Sequence, residues 1–258
     1  MGIFVKNAGQ VDKMRAACRI VSETHAMLAK AIRPGVTTRE LNTLADAYIR
    51  GKGAKPSFLG YELTGESFPA SICTSVNDEV IHGIPGLKRL KPGDIISIDI
   101  GAHFNNFHGD AARTHIVGDP EKTAPARKLV IDVAKGSFFE AMRYARHGRH
   151  LHELCAAIEA YITGNGCAVV DDFCGHGIGT LMHEEPQIPN HKQKNRGPRL
   201  QKGMTLAIEP MVVEGRSGNV RLLSDNWTVV TKNGRPAAHY ENTVLITDGD
   251  PDILTLYD

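Results

Sequence analysis

Five residues of this 258-residue chain carry a charge or an imidazole where the local sequence gives no ordinary reason for one. Asp99 lies in ISIDIG, Asp110 in HGDAART, His176 in CGHGIG, Glu209 in LAIEPM and Glu241 in HYENTV. Each sits in an apolar, strand-like run or a glycine-rich turn. A carboxylate buried in such surroundings is costly unless something compensates its charge. One would suggest a salt bridge; four without an obvious basic partner beside them suggest a cation. The run DIISIDIGAHF and its continuation to Ile116 alternate apolar and polar residues around Asn105-Asn106, which predicts a hairpin. In that hairpin Asp99 and Asp110 are directly opposite or diagonal, and both arrangements put them on one face. Like charges held there repel unless a metal lies between them. Four carboxylates and one imidazole form a hard, oxygen-rich set suited to Mn²⁺, Fe²⁺, Co²⁺ or Zn²⁺, and too many ligands for one small ion. A two-metal hydrolytic site is the expectation, weighed against scattered structural carboxylates.

Other residues have blander explanations. His183-Glu184 begins like the zinc motif H-E-x-x-H, but the fifth position is Gln187, so a single-zinc protease helix is not supported. His82, between Ile81 and Gly83, reads by itself as a loop histidine. His103, His108 and His115 share the hairpin with the aspartates and are expected in structural or surface roles. His147, His150 and His152 are expected in solvent. Cys174, beside Gly175-His176, is expected to be a small packed residue and not a nucleophile.

The elements that must position these groups are written twice. RPGVTTRELNTLADAYIRGKGA from Arg33 aligns without a gap on RHGRHLHELCAAIEAYITGNGC from Arg146, with nine identities in 22 positions. Upstream of each copy runs a helical apolar pattern: Val11, Met14, Cys18, Val21, Leu28 and Ile32 in the first, Val130, Ala134, Phe138, Met142 and Ala145 in the second. An Arg-x-Gly break follows, then a second helix, for which Thr37 and Glu40 have capping-box spacing. Both second helices run into Gly-x-Gly, where a left-handed cap costs least. MTLAIEPMVV, NWTVVTKN and AAHYENTVLIT read as strands, with Asn233-Gly234 as a turn between the last two. The prediction is an α+β, pseudo-twofold fold: a curved antiparallel sheet with two helix pairs on one face and the site between the halves. One domain spans 1–258, its repeat covering roughly 11–116 and 124–245.

Composition removes several function classes. Thirty basic and 29 acidic residues leave a net charge of +1, with no footprint for nucleic acid or anionic lipid. No run approaches 18 apolar residues, the start lacks a signal-peptide core, and Lys6 argues against myristoylation at Gly2. Five cysteines without a C-x-x-C pair are neither a disulfide framework nor a thiolate zinc site, so a reduced cytoplasm is expected. Nothing demands oligomerisation, and a monomer is expected.

FCGHGIGTLMHEEPQIPNH (Phe173–His191) resembles the signature of type I methionine aminopeptidases. Asp94–Thr114, Ile208–Pro210 and Glu241–Thr243 resemble the other ligand blocks of that family, in the right order. The 33 residues from His176 to Glu209 leave no room for the large insertion of the type II branch. The resemblance implies the pita-bread fold with a dinuclear centre of two divalent ions (Co, Mn, Fe, Zn or Ni). It implies that Asp99 chelates one metal, His176 and Glu209 the other, and that Asp110 and Glu241 bridge them. A metal-bridging hydroxide would attack the peptide carbonyl, with Glu209 as proton shuttle and His82 and His183 contacting substrate at the scissile bond. It further implies a methionine pocket walled by Phe58, Tyr61, Phe68, Cys73, Met182 and Trp227, with Gly60–Cys73 longer than usual for the family. The implied activity is removal of initiator methionine from nascent chains with a small second residue, with the ribosome a candidate partner. Competing expectations are an aminopeptidase P or prolidase of the same fold, a non-catalytic pita-bread binding protein, and a metal-free creatinase-like hydrolase.

Overall fold

The two halves begin alike because the same local signals start and stop their helices. The computed structural model describes residues 2–63 and 65–256; Thr64, within the Gly60–Cys73 wall, lies outside them. Helix α1 (Ala8–Ala31) starts at Asn7, which exchanges side chain-to-backbone bonds with Gln10 at 3.0 and 2.9 Å. The apolar spacing alone does not announce this reciprocal cap. Helix α2 (Thr38–Gly51) carries the predicted Thr37–Glu40 box. After α3 (Pro125–Met142), α4 (Leu151–Gly164) covers the same 14 positions as α2, and the His150 N–H donates to Glu153 at 2.9 Å. Gly53 and Gly166, just past α2 and α4, have φ of +77° and +74°.

The duplication runs further than the helices. The Gly35 N–H reaches the Leu90 carbonyl, and the Gly148 N–H the Leu200 carbonyl, both at 2.8 Å. Arg89 and Arg199 each donate to the carbonyl of the matching glycine, again at 2.8 Å. LKPGDIISID therefore corresponds to LQKGMTLAIE, and Asp99 to Glu209. His147 is exposed and His150 and His152 are half-buried, in line with expectation, but each also makes a hydrogen bond in this frame. His147 Nδ1 accepts from the Lys202 N–H, and the rings of His150 and His152 bond the carbonyls of Gly197 and Arg196. They fasten the 196–202 connection to the start of α4.

Strands Ile95–Phe104 and Phe107–Ile116 form the predicted hairpin, with Asn105 and Asn106 at φ of +50° and +68° as a two-residue primed turn requires. A sheet of Glu184–Pro189, Cys174–Gly177, Thr205–Ile208, Asn242–Leu245 and Asp252–Ile253 belongs to the second half, and all pairings are antiparallel. Asn233-Gly234 is a turn but not a hairpin. Val229–Thr231 pairs with Val220–Leu222 and Glu79–Ile81, whereas Ala237–His239 pairs with Met211–Glu214.

Alternation then sorts the side chains. Ile96, Ile98 and Ile100 pack with Val21, Leu28, Leu41 and Ile49 of α1 and α2. Leu206 and Ile208 pack with Phe138, Leu154 and Ile158 of α3 and α4. Asp99 occupies the alternate position in its strand and is thereby turned away from α1 and α2, and Glu209 follows directly on Ile208 at the end of its strand.

Candidate metal centre

The hairpin register decides between the two predicted placements. Asp110 is opposite Gly101 and Asp99 opposite Ala112, so the aspartates are diagonal neighbours on one face. Cys73 is the other cross-strand partner of Asp99, which puts its thiol beside the carboxylates. Glu209 and Glu241 depart from expectation. Neither is inside a strand; each occupies a gap where the chain leaves one sheet for another, after Ile208 and before Asn242. Their main-chain groups are satisfied across the gap: the Asn190 amide donates to the Glu209 carbonyl at 3.0 Å, and the Glu241 N–H to the Ala112 carbonyl at 2.9 Å. Arg113 donates to the Glu241 carbonyl and, at 2.6 Å, to Asn242, clamping the hairpin to the second half.

His176 completes the group. Its Nδ1–H donates to the Gly177 carbonyl at 2.8 Å, which leaves Nε2 unprotonated. Nε2 lies 4.0 Å from Asp110 Oδ2 and 3.7 Å from Glu209 Oε1. Burial holds the ring neutral, with a pKa of about 3. Burial, reinforced by neighbouring carboxylates, raises Asp99 to about 7 and lifts Asp110 and Glu241 well above the usual carboxylate range. Burial raises Glu209 to about 8.

These residues suit a divalent cation. Asp99 Oδ1, Asp110 Oδ1 and Glu241 Oε1 are buried without a hydrogen-bond partner among the described residues. Asp110, His176 and Glu241 each offer a ligand atom within 4.8 Å of the others. Four buried carboxylates facing an imidazole lone pair form a donor set that a divalent cation would compensate.

Above them lies a cavity of about 550 Å³. Phe58, Tyr61, Phe68, Cys73, His82, His183 and Trp227 line it with the five candidate ligands. Phe68 meets Trp227 edge-on at 5.1 Å, and His82 lies edge-on to Phe173 at 5.8 Å and to Trp227 at 6.3 Å. His82 has φ of +59°, a conformation rare outside glycine that presents its ring to the cavity. Tyr61 Oη and His183 Nδ1 are 2.6 Å apart. Burial raises the Tyr61 hydroxyl and lowers the His183 ring, which favours the neutral form of both; when the hydroxyl donates to Nδ1, the His183 proton is on Nε2. Met182 is the exception among the predicted walls. It is packed with Met14, Phe107, Ile178 and Ala207 behind Phe58 and Tyr61.

Known proteins match this chain along nearly its whole length. The profile of metallopeptidase family M24 matches residues 12–248. A methionine aminopeptidase from Clostridium acetobutylicum is 51% identical over 255 residues, covering 98% of this chain and 99% of that protein. The chain belongs to metallopeptidase family M24, among the type I methionine aminopeptidases. Methionine aminopeptidase 1 from Bacillus subtilis is 46% identical, with 98% and 99% coverage. The crystal structure of a methionine aminopeptidase from Thermotoga maritima superposes with a TM-score of 0.93 at 38% identity, covering 99% of this chain and all of that one. The architecture is thus the M24 pita-bread fold.

Several groups at this M24 site escape a sequence reading, His239 beside Glu209 and others along the cavity wall. His239 is 2% exposed and its Nε2 lies 3.5 Å from Glu209 Oε2. Its place two residues before Glu241 is the signal that alternation offers. Phe173, Glu185 and Gln187 line the cavity, with nothing but their place in the signature segment to single them out. Cys174 lines it too, half-buried, with its thiol pushed above its ordinary value chiefly by burial and then by Glu209. A thiol held protonated is no nucleophile.

Proposed function

We propose that this chain removes the N-terminal methionine of nascent polypeptides whose second residue is small, in the cytoplasm, as one catalytic domain built on the repeat. The observation that carries this is the juxtaposition of five ligand candidates with a mostly apolar cavity of about 550 Å³. Membership of M24 and the identity to methionine aminopeptidases support it. Asp99 would hold one divalent ion, His176 and Glu209 a second, and Asp110 and Glu241 both. Bound there, the ions supply Lewis-acid polarisation of the scissile carbonyl and a water of lowered pKa.

The side chains supply the rest. Phe68, Cys73 and Trp227 bury the methionine thioether, a soft group that makes favourable contacts with aromatic edges. His183 offers an Nε2–H to the carbonyl oxygen as negative charge develops there. Glu209, whose carboxylate is within 4 Å of both His176 and His239, carries a proton toward the leaving amine.

Protein loaded with Mn²⁺ or Co²⁺ should release methionine from Met-Ala-Ser and spare Leu-Ala-Ser and Xaa-Pro peptides. Cleavage of Xaa-Pro substrates, or inactivity with every metal tried, would overturn the assignment. His183→Ala should lower kcat by about 10²-fold with metal content preserved, as loss of one oxyanion donor does. Loss of metal on that substitution, measured by elemental analysis, would mean that the imidazole is a ligand.

A further inference from the structure

Lys6 is a buried cation that the proposed chemistry does not use. Its side chain is 5% exposed and its Nζ lies 2.6 Å from Oε2 of Glu184, itself 2% exposed. A pair so enclosed survives only with good geometry and further bonds to the charged groups. Glu184 has them. Its other oxygen accepts from the Leu181 N–H at 3.3 Å and lies 3.5 Å from the Thr180 hydroxyl. One carboxylate thus gathers both ends of the turn that joins the His176 strand to Glu184–Pro189, and His183 is the last residue of that turn.

The surroundings are cut to fit this pair. A Cβ on Gly179 would lie 2.4 Å from Glu184 Oε1 and 2.7 Å from Lys6 Cε. The Gly179 carbonyl accepts from the His108 N–H at 2.8 Å, tying the turn to the Asp110 strand. The Lys6 N–H donates to the Gly203 carbonyl at 2.8 Å, and a Cβ on Gly203 would meet the Lys6 carbonyl at 2.6 Å. Lys6 is therefore wedged between two turns of the second half, while its chain enters α1 of the first.

We propose that Lys6 is a positioning residue: its ion pair with Glu184 holds the 179–184 turn so that His183 faces Tyr61 and His176. In the structure those partners are 2.6 Å away for the Tyr61 hydroxyl and 4.2 Å, ring to ring, for His176. The catalytic consequence rests on the proposed contact of His183 with substrate; the placement itself does not.

The test compares Lys6→Met and Lys6→Arg, each in the full-length protein with native His183 and with His183→Ala. Lys6→Met should lower kcat for Met-Ala-Ser about tenfold or more, since small misplacements of a reacting group are that costly, with KM and metal content little changed. Lys6→Arg should recover most of it. On the His183→Ala background, Lys6→Met should add less than about twofold, because both substitutions remove the same interaction. The midpoint of thermal unfolding should fall on both backgrounds. Equal kcat losses on both backgrounds, or a fall in midpoint with kcat intact, would overturn the proposal. Side-chain ¹⁵N–¹H spectra give an arm free of activity. The His183 ring signals should move or broaden in Lys6→Met, and unchanged signals would overturn the proposal even if turnover fell. Full activity in His183→Ala would instead count against the contact with substrate, and the spectra would still decide the placement. Should Lys6→Met fail to fold, pairing it with Glu184→Gln leaves no buried charge and carries the same readouts.

Discussion

Asp110→Asn and Glu241→Gln should each lower methionine release by at least about 10²–10³-fold, the range for removing a group that stabilises transition-state charge. Both replacements keep the shape of the side chain and remove only its charge. Asp110 is 3% exposed and Glu241 1%, so neither leaves a cavity or exposes a surface. The same substitutions should raise the thermal midpoint of the metal-free protein. They take one ionisable carboxyl out of a buried group of four, which removes the cost of its burial, the larger cause of the raised Asp110 and Glu241, and relieves the repulsion that adds to it. Lower activity combined with a higher metal-free midpoint is hard to obtain from misfolding. More than about a tenth of wild-type turnover in either variant, set against that 10²–10³-fold expectation, would remove the proposed bridging role.

The second large effect is a dependence of stability on pH that metal reverses. Asp99 and Glu209 have folded pKa values of about 7 and 8, against 3.8 and 4.5 when unperturbed. A raised folded pKa means that the fold prefers the protonated carboxyl. The stability this contributes is complete below about pH 4 and lost as pH rises through 7 to 8. Histidines act in the opposite sense. Burial lowers His82, His108, His115 and His239 to about 4 and His176 to about 3. Their contribution is present above the unfolded value near 6.5 and lost as pH falls toward 4. Above pH 7 the histidines are largely neutral in both states. The carboxylates and the buried cysteines, whose thiols the fold holds above their ordinary value chiefly by burial, both lose stability as pH rises, so the midpoint of metal-free protein should fall between pH 7 and pH 8.5. Every tenfold difference in proton affinity between the folded and unfolded chain corresponds to about 1.4 kcal/mol. Adding Mn²⁺ or Co²⁺ at a hundred times its Kd should add about 2.7 kcal/mol, or about 5–10 °C for a domain of this size. At one fixed metal concentration the gain should grow with pH, because the metal competes with protons for the same oxygens and its Kd falls as they ionise. Differential scanning fluorimetry across that range is sufficient. A metal-free midpoint that rises from pH 7 to 8.5, or a metal shift independent of pH, would contradict a cation site of buried carboxylates.

Much of this was legible from residue types and local spacing. The Thr37–Glu40 cap, the Asn105-Asn106 turn and the helices after Arg33 and Arg146 depend on contacts within a few residues, so short-range chemistry determines them. Ligand candidacy was legible for the same reason: a carboxylate in an apolar run is anomalous wherever the run ends up. Alternation also determined that Asp99 and Asp110 share a face, since a hairpin of known turn has a known parity.

What the sequence by itself could not decide depends on separations of tens to hundreds of residues. Glu209 and Glu241 looked like mid-strand residues because the runs around them are continuously apolar. Only the packing of two sheets shows that each occupies the gap between them, where a carboxylate can leave the ladder. Met182 and His183 are adjacent in sequence, yet one joins the core behind Phe58 and Tyr61 while the other opens on the cavity. That division follows from the turn that Glu184 and Lys6 hold from 178 residues apart. The local sequence determined which residues could do chemistry, because that is a matter of side-chain type and parity. The tertiary structure decided which of them meet, because burial, register between distant strands and the field of four shared carboxylates exist only once the two halves have closed on each other.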